Sequence, residues 1–325
     1  MATSKDTPII RMRSRTARTL ITTLCVAILI AAGGLAVLSY LQVSQTNEAE
    51  FNRSATQANE VLVSKLNNFN DLLYTGRGLL QNSQAVTQSE WTGFFEEQDV
   101  FSRYQGISSI IYVKTVSNEQ KQSFLELIRE DDDFKDFVIN PDGERDRYGL
   151  PTLIASENDT TGVVGSDVFI DPVRKAVYDM AAQERKPIAS PPLKFKTGFP
   201  GFFVVLSNVY NAQLDGFILI SFRTNDLMPT ILSNENKDFR YKIDDVGDNG
   251  STLYTSPGWN ENNSQSFVSY ANVGSRNWRV TIASTQKAPE FGAIYGVPLT
   301  ILVVAFLFIS AILFAEHRIF SRPSR

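Results

Sequence analysis

The stretch GFFVVLSNVYNAQLDGFILISF, Gly201 to Phe222, decides the fold class. Two runs rich in Phe, Val, Leu and Ile flank a short polar break at Asn211 to Leu214. The segment therefore predicts an antiparallel hairpin at the heart of an α+β sheet domain. Upstream, the run PTLIAS after Tyr148 reads as a central strand ending at the polar group Glu157, Asn158 and Asp159. Asp171 is placed to N-cap a helix with Pro172 in its first position, with Val173, Ala176, Val177 and Met180 as the buried stripe. Pro187, Pro191 and Pro192 break the chain before the hairpin.

Further towards the N-terminus, GISSIIYVK from Gly106 is a strand of the same sheet, and Ser89 to Gln98 is a short helix carrying Trp91, Phe94 and Phe95 on one side. Ser117 with Gln120 forms a capping box before a helix of about three turns with the stripe Phe124, Leu127 and Ile128. Asp131 to Asp133 lack the spaced oxygen ligands and glycine of a calcium loop and read as a solvated helix end. Asn140 to Gly143 is a turn by composition. Downstream, FRYKIDDVGDNGSTLYTS from Phe239, then QSFVSYANV and NWRVTIAS, predict a second, smaller sheet of short strands.

Two uncharged runs bracket this body. Leu20 to Leu41 and Phe291 to Ala315 each reach the ~20 residues a helix needs to cross hydrocarbon, and both are read as membrane spans. The first exceeds the apolar core of a cleaved leader. Lys5, Arg11, Arg13, Arg15 and Arg18 precede the first span, and Arg318, Arg322 and Arg325 follow the second, so both ends are expected on the cytoplasmic side. The net charge of the whole chain is -4, which places the acidic excess between the spans, outside. Between span and sheet, Phe51, Ala55, Ala58, Leu62, Leu66, Phe69, Leu73 and Leu80 recur every three or four residues, the mark of a long amphipathic helix. Its stripe suits packing on the domain, on a second copy in a homodimer, or on both. The expected organisation is thus a basic tail over 1–19, spans over 20–41 and 291–315, the long helix over 42–86, a membrane-distal sheet domain over 87–235, a membrane-proximal one over 236–290, and a tail over 316–325.

Composition excludes several functions. With one cysteine, Cys25, and one histidine, His317, the 325 residues hold no disulfide framework, no Cys/His zinc site and no Ser-His or Cys-His nucleophile pair. No catalytic residue, metal or cofactor is assigned, and the chain is not read as an enzyme. An acidic chain with no basic face is not a nucleic-acid binder. Only ten residues follow the second span, too few for a kinase domain, so His317 is read as a juxtamembrane residue without chemistry.

From about Tyr104 to Leu227 the order of segments resembles the CHASE family, the extracytoplasmic sensor domain of cytokinin receptors and of many bacterial sensor kinases and cyclases. The matching pieces are YQGI at Tyr104, RYGLPTLIAS at Arg147, Gly165 to Asp167, DPVRKAVYDMA at Asp171, KPIASPPLKF at Lys186, and NVY at Asn208 followed by DGFILISFR. The resemblance implies two PAS-like antiparallel sheets between a long helix and a second membrane helix. It also implies a small ligand, of adenine type in the plant receptors, held in the distal sheet domain. By motif position the acidic ligand contact falls on Glu157 and the hydroxyl contact on Ser190. Tyr148, Lys194 and Phe203 are read as walls of that pocket. The sequence departs from the family in having Asn208 where many members have proline, Ser166 for an aromatic, and no output domain after the second span. A signal would therefore pass to a cytoplasmic or membrane partner chain, or the chain is truncated from a longer product. Asp167 and Asp171 are read as turn and cap residues, and Arg174, Lys175 and Arg185 as a solvated helix face. The alternative to a ligand sensor is a non-catalytic protein that docks another envelope protein through the same outer fold.

Overall fold

The computed structural model describes residues 8–156, 163–195, 198–232, 238–247, 250–261, 265–285 and 291–320. It divides into two compact units, Ser54–Thr285 and the set Met1–Arg53 with Gln286–Arg325. Helix α1 covers Pro8–Asn82. Among the described residues it is the one helix long and apolar enough to cross a membrane. Its apolar stretch lies uncovered, with Ile30 70% exposed, as suits a segment solvated by hydrocarbon.

The amphipathic stripe behaves as its spacing dictates. Ala55, Ala58, Leu62, Leu66, Phe69 and Leu73 are buried and Leu80 is half-buried. Phe69 meets the Phe222 ring at 4.9 Å, and Lys65 Nζ donates to the Ile231 carbonyl at 2.8 Å. The stripe is therefore spent on the domain itself, and the helix ends four residues before the expected boundary at 86.

Helix α2, Gln88–Glu96, is opened by Thr87: its hydroxyl accepts from Glu90 N while the Glu90 carboxylate accepts from Thr87 N. Such a box typically contributes about 1 kcal/mol. Trp91 and Phe95 are buried and Phe94 is half-buried. One turn of helix, α3, Val100–Arg103, leads into β1, Ile107–Ser117. Helix α4, Lys121–Ile128, has two turns rather than three. Of the capping box expected there, only the contact of Ser117 N with Gln120 Oε1, at 3.4 Å, is made. Asp131 then caps a 3₁₀ turn, Asp132–Phe134, so the aspartate run is a helix end as read.

Next come β2, Arg147–Ser156, a 3₁₀ turn, Val168–Ile170, and α5, Pro172–Glu184. They are followed by β3, Ile188–Ala189, β4, Leu193–Lys194, β5, Pro200–Tyr210, β6, Gln213–Arg223, and α6, Thr224–Leu232. The larger sheet is antiparallel in the order β2-β1-β6-β5-β3, with β4 also paired to β5. The hairpin β5–β6 forms as expected, with both turn residues, Asn211 and Ala212, at positive φ, the geometry whose twist matches its strands. Strand β2 corrects the sequence reading, because it is an edge strand and not a central one. Its apolar run reflects burial on both faces, and its open edge is covered by α2: the Gln88 amide accepts from Ile154 N at 2.9 Å and donates to Ile154 O at 2.7 Å.

The smaller sheet holds β7, Phe239–Asp245, β8, Ser251–Thr255, β9, Ser266–Val273, and β10, Arg276–Ser284, in the order β8-β7-β10-β9. It is fastened to the larger one at two points. The fully buried Trp278 sets its ring edge-on to Phe202 at 5.1 Å. Gly274, in the β9–β10 turn at φ 52°, accepts from Ala189 N at 2.7 Å. A Cβ at this glycine would sit 2.5 Å from that same nitrogen, so no other residue fits. Helix α7, Phe291–Phe320, is the last of the described elements. The second span expected over 291–315 falls here, where the described apolar segment, Gly296–Ile312, is shorter than the span read from sequence.

Candidate functional site

Side chains alternate across the larger sheet, and its two faces have different covers. Ile218, Ile220 and Phe222 of β6, with Phe202, Val204 and Leu206 of β5, point to the α1 side. Ile111 and Val113 of β1, Phe203, Val205 and Ser207 of β5, and Phe217 and Leu219 of β6 point the other way, by their cross-strand register. This second face is roofed by α5 and the Val168–Ile170 turn.

Its centre is aromatic. Tyr178 of α5 stacks on Phe203 at 5.8 Å, meets Phe217 edge-on at 4.9 Å and touches Phe169 at 5.4 Å. Burial pushes the Tyr178 phenol well above the ordinary tyrosine value, because an anion there would lose its hydration. The roof is positioned by Asp167, whose buried carboxylate accepts from both Gly149 N and Phe169 N at 3.0 Å. Gly149 allows this close approach: a Cβ there would lie 2.6 Å from the Phe169 ring. Asp171 caps α5 by accepting from Val173 N and Arg174 N.

Two polar groups lie under this roof. Ser190 is buried and structurally engaged: its hydroxyl accepts from Phe203 N at 3.0 Å and donates to Pro191 O at 2.9 Å, standing in for a ladder contact where the chain turns away at the prolines. Ser207 is 1% exposed, and its hydroxyl has no hydrogen-bond partner among the described residues. Such an orphaned buried hydroxyl is costly unless something satisfies it.

The five residues expected to form a pocket are distributed unevenly. Ser190 and Phe203 meet on the α5-covered face. Glu157 lies outside the described residues. Lys194 is exposed, on β4 opposite Pro200. Tyr148 belongs to a separate cluster with Val116, Phe134, Phe137, Ile139 and Leu150. Its hydroxyl lies 2.9 Å from Gly143 O and 3.0 Å from Asn118 Oδ1, donating its one proton between them, and fastens the turn before β2.

The sequence reading missed Tyr178, Phe169, Phe217 and Ser207. The α5 stripe was set out of phase: Val173 is 52% exposed and Met180 44%, whereas Val177, Tyr178 and Ala181 are buried. The usable signal was Gly149, since a glycine inside a strand marks close approach of another group.

Among the described residues no group of three or more His, Cys, Asp or Glu could hold a metal ion. A family model described as the CHASE domain matches residues 84–254. No curated protein sequence matches the chain. Solved structures with similar backbones include the ligand-binding domain of the Pseudomonas aeruginosa PAO1 amino acid chemoreceptor PctC in complex with GABA. It is 16% identical, over 73% of this chain and 99% of that one, with a TM-score of 0.44. The ligand-binding domain of the Pseudomonas fluorescens chemoreceptor CtaA in complex with L-serine is 11% identical, over 74% and 98%, with a TM-score of 0.46. At these scores neither structure decides what this chain binds.

Proposed function

Because the chain belongs to the CHASE-domain family, a non-catalytic sensory domain of the extracytoplasmic side, we propose that it is a two-pass membrane sensor whose small ligand binds on the α5-covered face of the larger sheet. The observation that carries this reading is Ser207, a fully buried hydroxyl without a partner among the described residues, set opposite Phe217 on the sheet face that also carries Phe203 and is covered by Tyr178. A flat or apolar ligand body against those rings, with one polar atom for Ser207, matches the usual make-up of a small-molecule site. Ser190 holds the β3–β5 edge of the site and Glu157 supplies its charged contact. Adenine-like compounds are the first class to test.

The side-by-side placement of α1 and α7 in a two-pass arrangement draws support from a groove of about 500 Å³ lined by Ile28, Ala32 and Leu35 of α1 and by Thr300, Val304 and Phe308 of α7, and the basic flanks put both termini on the cytoplasmic side. Small residues such as Ala32 and Ala305, both buried, are the kind that let membrane helices approach. A ligand preferring one of two domain conformations would shift α1 and α7 by its differential affinity alone, passing the signal to a separate output chain. The docking alternative draws support from the exposed Ile170, Val173 and Met180 on and before α5.

The test is thermal unfolding of the full chain in detergent with purines, cytokinin-like adenines, amino acids and organic acids. A ligand at ~100 times its Kd adds about 2.7 kcal/mol. A selective shift that is lost in Ser207→Ala and Glu157→Gln supports the sensor. A cooperative melt that no compound shifts moves the assignment to docking.

A further inference from the structure

Strands β1 and β6 pair only as far as Lys114 opposite Gly216. Beyond that point the tip of the β5–β6 hairpin leaves β1, and α4 lies beside the gap. The result is a cleft of about 400 Å³ whose floor is Lys114, Thr115 and Asp215 and whose walls include Phe124, Leu127 and Tyr210. It shares only Leu214 with the α5-covered cluster, so an inference about it stands apart from the reading above.

Two features of the cleft point to one ligand chemistry. Lys114 and Asp215 form an ion pair on the floor and remain 34% and 37% exposed, so a fixed cation and a fixed anion are both reachable. Leu127 is 68% exposed and Tyr210 57% exposed, which leaves apolar surface on opposite lips. A ligand that is neutral overall but carries both charges can replace the ion pair without leaving either partner uncompensated.

We propose that this cleft is a second binding site, for a zwitterionic α-amino acid with an apolar side chain. Its carboxylate binds Lys114 Nζ, its ammonium binds Asp215, and its side chain lies along Phe124 and Leu127. The site has a route to the long helix. Asp215 is also held by the Tyr112 hydroxyl and by Asn208 Nδ2 at 3.4 Å. The side-chain oxygen of Asn208, Oδ1, in turn accepts from Gln81 Nε2, in the last turn of α1, at 3.0 Å.

The probes are L-leucine, N-acetyl-leucine, which lacks the ammonium, and leucinamide, which lacks the carboxylate, each titrated into the full chain by calorimetry. Leucine alone should bind, with a loss of tenfold or more in Lys114→Met and in Asp215→Asn and no change in Ser207→Ala. A second readout does not depend on those variants folding. In a Cys25→Ser, Ser123→Cys chain, leucine should slow maleimide labelling of the cysteine on the α4 lip. Equal binding of all three probes would overturn the proposal. So would leucine binding lost in Ser207→Ala but kept in Lys114→Met, or no binding and no protection up to ~10 mM.

Discussion

Replacing Gln88 with leucine tests how the edge of the larger sheet is held. The side chain makes three contacts: it accepts from Ile154 N at 2.9 Å, donates to Ile154 O at 2.7 Å and donates to Thr92 Oγ1 at 2.8 Å. Leucine has a similar helix propensity and bulk, so α2 should persist. Two backbone groups of β2 would lose their partners, at about 1 kcal/mol net for each hydrogen bond. The larger penalty for unsatisfied groups should not arise, because a cavity of about 520 Å³ lined by Gln88 and Ile154 admits water. The expected cost is therefore about 2 kcal/mol, a fall in Tm of roughly 4 to 8 °C for a domain of this size. Calorimetry gives the Tm, and hydrogen exchange should show faster exchange of the Ile154 amide in particular. An unchanged Tm together with unchanged Ile154 exchange would show that β2 is held by its faces alone and would refute the edge argument.

Three further outcomes are expected. Gly274→Ala should destabilise the chain by about 2 kcal/mol or more, since it adds left-handed strain to a backbone clash; scanning calorimetry should then resolve two transitions where the parent shows one. Ala212→Gly should raise stability by about 0.5 to 1 kcal/mol, because alanine occupies a positive-φ turn position that glycine adopts without strain, read as a higher urea midpoint at unchanged slope. The phenol of Tyr178 is held protonated by burial while an unfolded tyrosine ionises near pH ~10, so its share of stability is complete below that pH and falls as pH rises above it. Tyr178→Phe should accordingly show a shallower loss of urea midpoint between pH 9 and 11, and an identical slope would contradict this.

Much of the architecture was readable locally. The β5–β6 hairpin and the four strands of the smaller sheet are continuous apolar or alternating runs between turn residues, and each formed where that chemistry places it. The α1 stripe was legible for the same reason, at helical period. What failed depended on contacts distant in sequence. PTLIAS looks central because both its faces are buried, and only the Gln88 amide, 66 residues away, reveals the edge. In α5 the exposed Val173 and Met180 outweighed Tyr178 in the apolar pattern, so the residue at the centre of the aromatic cluster was passed over. Of the face proposed as the site, Ser190 was singled out by its motif position and Phe203 as an aromatic wall. Ser207 had no such signal, since its isolation is a property of the packed sheet.

The contact of Gly274 with Ala189 bears on how this chain can be re-engineered. Sensor chimeras are usually built by exchanging whole modules at a linker, and the boundary between the two sheets looks like such a place. Here the turn of the smaller sheet is part of the fit of β3, next to Ser190, and Trp278 fills a position beside Phe202. A graft that replaces residues 239–284 with a foreign sheet would lose both contacts and leave the β3 edge without its neighbour. Productive junctions therefore belong outside Ser54–Thr285, with the two sheets exchanged as one cassette.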